Sequence, residues 1–209
     1  MLLSSICSIS PGFTARSRLE PTDSGGVLTI QLRDIEQDGT VDITRMSRVV
    51  MDAAAEKYFV HPGDVVFRSR GDWNVASAID AALSEPALAV MPLFILRPKS
   101  SVVIPDFLAW AINQAPAQRH FDCEAQGGNM RMISRSTLET LDLDIPPVAT
   151  QRRIVEIDRL ARQERQLTLD LAEKQRQIVT RRLVDLAENL GKHLDKPRPR
   201  ISKTSGNRK

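Results

Sequence analysis

Ser134-Arg-Ser-Thr-Leu-Glu-Thr-Leu-Asp-Leu-Asp-Ile-Pro-Pro-Val148 joins two unlike parts of the chain. Before it the sequence is mixed and strand-rich. After it, residues from Thr150 to about Leu190 run without a glycine or proline. At ~1.5 Å per residue a helix of that length spans about 60 Å. A body of ~150 residues is only about 35–40 Å across. Such a helix packs along another helix, projects from the body, or does both. The plainer alternative is a solvated helix with one face on its own body, and the length argues against that as the whole account. Within the joining stretch, Ser134 is placed to cap a helical turn through Thr137 to Glu139. Leu141, Leu143 and Ile145 alternate as a strand. Pro146 and Pro147 then end pairing, because neither has an N–H to give.

Working back toward the start, Val27–Leu32 alternates and is β-branched enough for a strand. Asp38-Gly39 reads as a turn, and Lys57–Val60 as another strand. His61-Pro-Gly-Asp64 is a strong turn signal, since Pro presets φ at the second position and Gly supplies positive φ at the third. It feeds Val65–Arg68, a buried strand, which Ser69–Asp72 breaks. Asn74–Ile79 returns antiparallel to it. Ala87–Leu96 reads as one core strand. Pro105 opens a helix carrying Phe107, Leu108, Trp110, Ala111 and Ile112, a shorter helix follows Pro116, and Gly127-Gly-Asn129 is a turn. The mixture predicts an α+β fold, with a body at 1–148, a long helix at 149–190 and a basic, disordered tail at 191–209.

Along the helix, Ile157, Leu160, Glu164, Leu167, Leu171, Lys174 and Ile178 follow alternating steps of three and four, the spacing of a coiled-coil seam. The stripe then shifts to Val179, Leu183, Leu186 and Leu190. Glu164 and Lys174 interrupt the seam, which favours a two-helix pair over a deeper multi-stranded coil.

Composition sets further bounds. The 209 residues hold 29 Lys and Arg against 26 Asp and Glu. Seven of the cations and one of the acids fall in residues 192–209, leaving 22 against 25 elsewhere. The body is therefore not uniformly basic, and any nucleic-acid face must come from local sorting of charge. No apolar run reaches the ~20 residues of a membrane span, and the first residues make a poor signal peptide. Cys7 and Cys123 read as free thiols in a reducing, cytoplasmic setting. His61, His120 and His193 lie far apart, with no metal-ligand spacing. No catalytic motif is present. Asp142 and Asp144 share a strand face with no His or metal partner, and Cys123 sits between Asp122 and Glu124, which dulls a thiol.

In order and kind, these segments resemble the specificity subunit of type I restriction-modification systems. The resemblance is carried by Ser5–Arg18, with its Gly and basic pair, and by Leu28–Ile35, a strand ending in Asp-Ile. It is also carried by His61–Gly71, a Gly-Asp strand followed by a basic-Gly turn. The last piece is Ile133–Ile154, the Ile-Pro-Pro segment with Gln151 before a spacer helix. It covers roughly residues 2–190. It implies a non-catalytic, sequence-specific reader of double-stranded DNA, built as a mixed β-sheet target recognition domain and one long helix that pairs in an antiparallel two-helix coiled coil. A complete subunit has two recognition domains and two spacer helices, and this sequence shows one of each. The resemblance therefore implies a half-subunit that forms a homodimer and reads a bipartite, palindromic site. The implied partners are a DNA adenine methyltransferase subunit, which brings S-adenosylmethionine, and a restriction (translocase or nuclease) subunit. No cofactor is expected in this chain. The rival expectation is a scaffold that assembles through its helix and has no DNA role. Gly127–Met130 departs from the small-polar pattern of the family.

Arg reads guanine bidentately and Asn reads adenine, so the DNA-binding candidates are such residues in loops, with one aromatic. They are Arg16, Arg18, Arg45, Arg70, Trp73, Asn74, Asn129 and Arg131. Arg70, Trp73 and Asn74 offer a cation, an aromatic plate and an amide on one loop; the alternative there is a surface turn with Trp73 anchored in the core. Arg33 is set aside as a partner of Asp34 or Glu36. The dimer-interface candidates are Ile157, Leu160, Leu167, Leu171 and Ile178. The tail, 192–209, adds non-specific phosphate affinity or serves only solubility.

Overall fold

The apolar runs Val65–Phe67 and Leu93–Leu96 have almost no polar residue between them, and a strand with two buried faces requires that. The computed structural model describes residues 1–15, 19–23, 25–51, 54–99, 101–124 and 131–194. In chain order the elements are α1 (Leu3–Ile6), β1 (Cys7–Pro11), β2 (Pro21–Thr22), β3 (Val27–Ile30), β4 (Ser47–Val49), β5 (Phe59–Val60), β6 (Val65–Arg68), β7 (Arg70–Gly71) and β8 (Val75–Ala78). They continue as β9 (Ala87–Ala89), β10 (Leu93–Pro98), α2 (Pro105–Ile112), α3 (Ala115–Glu124), β11 (Arg131–Met132), α4 (Arg135–Glu139) and α5 (Val148–Leu194). Short 3-10 turns stand at Leu32–Asp34, Ile43–Arg45 and Glu56–Tyr58. The chain divides into two compact units, Met1–Ile157 and Asp158–Lys209.

In the first unit, an antiparallel sheet of order β1-β10-β6-β8 lies between two apolar clusters. Alternation along each strand deals its side chains to both. Phe94 and Leu96 of β10, with Val65 and Phe67 of β6, join Phe107, Leu108 and Phe121 from α2 and α3. Leu93 and Ile95, with Val66 and Val75, face Ile30, Val60, Ala87 and Ala89 of the second sheet. That sheet has the order β2-β4-β3-β9-β5, with β3 and β9 parallel. The layers are therefore helices, four-stranded sheet and five-stranded sheet. Phe67 is fully buried, with its ring centroid 5.2 Å from that of Phe121, a burial that contributes about 2–3 kcal/mol. The outer edge of β8 is closed by a side chain: Asn113 Oδ1 accepts from Ala76 N and Asn113 Nδ2 donates to Ala76 O, both at 2.8 Å. One amide thus stands in for a further strand on an otherwise open edge.

The fold is α+β, as the sequence predicts. Three expectations change in detail. Ala87–Leu96 is two strands in different sheets, because Val90-Met91-Pro92 turns the chain and Pro92 has no donor for a ladder. Gly12 fills that corner: a Cβ there would lie 2.8 Å from Ala89 O. Leu141–Ile145 alternates in burial but forms only a bridge, Leu2 to Asp142, flanked by hydrogen bonds from Leu3 N to Leu141 O and Leu143 N to Met1 O. Lys57 lies in a 3-10 turn, so only Phe59 and Val60 of that stretch pair. By contrast, Ser134 Oγ accepts from Thr137 N at 3.1 Å, and Gly63 takes φ +99° in the His61–Asp64 turn. The Gly127–Asn129 turn and the residues from 195 onward lie outside the described residues.

Gln151, in the first turn of α5, is fully buried. Its Nε2 donates to Val102 O at 2.9 Å and to Pro146 O at 2.8 Å, and its Oε1 accepts from Ile104 N at 2.9 Å. Both prolines leave carbonyls without a ladder partner, and one amide satisfies Pro146 while gripping the segment that enters α2. In the second unit α5 carries ion pairs one turn apart, Arg162–Asp158 and Arg176–Glu173, both at 2.7 Å. Among its exposed apolar residues are Leu160, Leu167, Leu171 and Ile178, each at least half exposed. Gln151→Ala leaves three partly buried backbone groups without this partner and should cost about 2–3 kcal/mol. Urea unfolding measures this, and a loss under about 0.5 kcal/mol contradicts the clamp.

Candidate nucleic-acid interface

Arg68 ends β6, where the apolar run stops and the backbone turns. Its Nη1 donates to Leu32 O at 2.9 Å and to Ile35 O at 3.4 Å, and its Nε donates to Arg70 O at 3.3 Å. The guanidinium carbon lies 4.5 Å from the Trp73 ring centroid, a cation–π stack. Gly71 makes room for this group: a Cβ there would come 2.8 Å from Arg68 Nη2, and its φ of +122° favours glycine in any case. One partly buried cation thus joins the 69–73 loop to the 3-10 turn after β3.

That junction brings together residues far apart in sequence. Arg70 is exposed on β7, and β11 pairs with β7 so that Arg131 stands opposite Gly71. On the turn side, Arg33 has a side chain 57% exposed; it donates to Ser47 Oγ at 2.8 Å, with its Nε 3.6 Å from Asp34 Oδ1. The expected pairing with Asp34 is therefore present, yet the guanidinium remains largely in solvent. Arg45 is 56% exposed and lies between Glu36, at 2.5 Å, and Asp42, at 3.1 Å.

Trp73 is half-buried and packs against the cluster between the sheets, which matches the anchored alternative more than an open plate. Asn74 is 4% exposed, and its Nδ2 donates to Arg68 O at 3.1 Å. That bond ties the amide to the loop, while its buried Oδ1 has no hydrogen-bond partner. Arg16, Arg18 and Asn129 lie outside the described residues. Sequence reasoning passed over Arg68, which it took for the end of a strand. The available signal was a cation closing an apolar run three residues before a positive-φ glycine and five before a tryptophan. Arg33 was set aside for its acidic neighbour.

Asp34 lies beneath this surface, fully buried. Its Oδ2 accepts from Gln31 N at 2.7 Å. Burial pushes its carboxyl above the ordinary range, against the pull of that hydrogen bond and of Arg33 and Arg45; Asp42 adds to the rise. Elsewhere burial pushes the Cys7 thiol up to about 12, so it holds its proton, and Cys123 is exposed. Among the described residues no three His, Cys, Asp or Glu gather as metal ligands, and no helix is long and apolar enough to cross a membrane.

The raised Asp34 carboxyl carries a sign. A folded pKa above the unfolded one means the ionised group opposes folding, so its contribution is best at acid pH and declines as pH rises through the folded value. Asp34→Asn should therefore gain stability relative to the native chain between pH 4 and pH 7. Paired urea titrations test it, and a difference that shrinks or stays flat across that range contradicts the assignment.

No protein-family model and no curated protein matches the sequence. Solved structures do. The HsdS subunit from Thermoanaerobacter tengcongensis is similar over 78% of this chain and 36% of its own, at 19% identity and a TM-score of 0.53. A chain from a structure of type I R-M system assembly and conformational transition is similar over 83% of this chain and 40% of its own, at 21% identity and a TM-score of 0.58. The type I restriction-modification S subunit from M. genitalium is similar over 75% of this chain and 37% of its own, at 14% identity and a TM-score of 0.50. This chain thus spans about two fifths of the length of the solved chains it matches. The mixed two-sheet body followed by a long helix is the fold found in type I restriction-modification S subunits.

Proposed function

We propose that this chain is a specificity component of a type I restriction-modification or methyltransferase complex and reads double-stranded DNA. The observation that carries the reading is the gathering of exposed Arg33, Arg45 and Arg70 around the Arg68 junction, on a fold shared with S subunits. The chemistry suits the task. Guanidinium groups on short turns bind phosphates and guanine edges. The acids beside Arg45 hold it in place until phosphate competes for it. Half the partners of such a surface are backbone contacts that set register, and the rest read bases.

In this reading the chain performs no chemistry itself. A DNA adenine methyltransferase subunit would bring S-adenosylmethionine, and a restriction subunit would join where DNA is also cut. The exposed seam of α5 would pair two copies, giving a symmetric reader of a bipartite site.

Two experiments test this. Fluorescence anisotropy with duplex DNA, in the presence of the methyltransferase subunit, should show affinity that falls steeply with salt. Arg70→Ala should weaken it about tenfold or more, whereas salt-insensitive or absent binding refutes the DNA role. For the pairing, Leu167→Glu with Leu171→Glu places two carboxylates in the apolar seam. Light scattering should then report a monomer with an unchanged body by circular dichroism, and a persisting dimer would mean the seam lies elsewhere.

A further inference from the structure

The seam of α5 is interrupted by one acid and one base, Glu164 and Lys174, both exposed. Glu164 shares its heptad place with Ile157, Leu171 and Ile178, while Lys174 shares the other seam place with Leu160 and Leu167. In a parallel, in-register pair each seam residue meets its own counterpart. That arrangement sets Glu164 on Glu164 and Lys174 on Lys174, two like-charge layers in a desolvated seam.

An antiparallel pair instead sets residues of one heptad place against residues of the other. One register, centred on position 169, faces Glu164 of each copy with Lys174 of the other, twice by symmetry. It also faces Leu160 with Ile178 and Leu167 with Leu171, layers apolar on both sides, and at the ends of the seam it faces Ile157 with the exposed Arg181. One neighbouring register faces Glu164 with Leu167 and Lys174 with Ile157, which strands four charges against hydrocarbon; the other pairs Glu164 with Arg181 but sets Lys174 of each copy against Leu171. Unpaired buried charge is far costlier than a paired one, so the first register is separated from its rivals by charge alone. A single polar seam position is enough to specify register in coiled coils.

We infer that α5 pairs antiparallel with a second copy of this chain in the register centred on position 169, locked by two reciprocal Glu164–Lys174 ion pairs. This rests on the proposed pairing, whose antiparallel sense the family resemblance implies, and adds its register. A constant register is also what a split site of constant spacing demands of its reader.

Charge reversal in the full chain tests it by sedimentation equilibrium, with circular dichroism to confirm the fold. Glu164→Lys alone and Lys174→Glu alone each create like-charge layers and should weaken the dimer about tenfold or more. The double reversal restores opposite charges and should return the dissociation constant to within about threefold of the native value. A parallel pair would be indifferent to all three, since like charges face each other throughout. A dimer unmoved by the single reversals, or one not rescued by the double, overturns the register while pairing itself stands. A native chain that is monomeric at all accessible concentrations overturns the pairing as well.

Discussion

A single guanidinium, that of Arg68, holds the candidate surface together. Three carbonyls, from Leu32, Ile35 and Arg70, accept its hydrogen bonds, and the Trp73 ring covers its face. Arg is suited to this by its planar fork of five donors, which can bridge several acceptors at once. Without it the 69–73 loop and the 32–35 turn would have to find other partners for their backbone groups. With it, turns separated by tens of residues are held side by side. The cost is that Arg68 itself is committed to the scaffold, so recognition falls to its neighbours. Acids stand among its cations, Glu36 and Asp42 beside Arg45 and Asp34 beside Arg33.

Gln151 makes the corresponding join at the base of α5. Two prolines end the extended segment and start the helix cleanly, but they leave acceptors behind. A fully buried amide with three hydrogen bonds meets that need, and it also ties the first helical turn to the backbone that leads into α2. Both devices use a side chain to satisfy backbone groups where regular pairing stops. Asn113 does the same on the edge of β8. The body is thus bounded by polar side chains placed where its sheets and helices end.

Much of the architecture was legible because local signals coincided with global ones. The His61–Asp64 turn, the Val65–Arg68 strand, the helix after Pro105, the Ser134 cap and the long helix all follow from residue-level chemistry. Ala87–Leu96 misled because apolar continuity does not say whether a strand changes sheets; Pro92 was the clue, and its missing donor decides the break. Leu141–Ile145 misled because alternation reports burial of one face but not the presence of a long partner strand. At the surface, Asn74 and Trp73 looked like readers because their types suit bases. Which of them faces solvent depends on where Arg68 sits, and that is set by the distant turn at Leu32–Ile35. The row of apolar residues along α5 was readable outright, since a 3-4 spacing on a helix is a purely local pattern.

The account stands or falls on whether this chain selects DNA by sequence. Selection from a randomised duplex pool by the chain together with its methyltransferase partner measures that directly. The expected outcome is enrichment of one site in two symmetric halves separated by a fixed, unread gap. Recovery of an unenriched pool, with no base preference at any position, would contradict it.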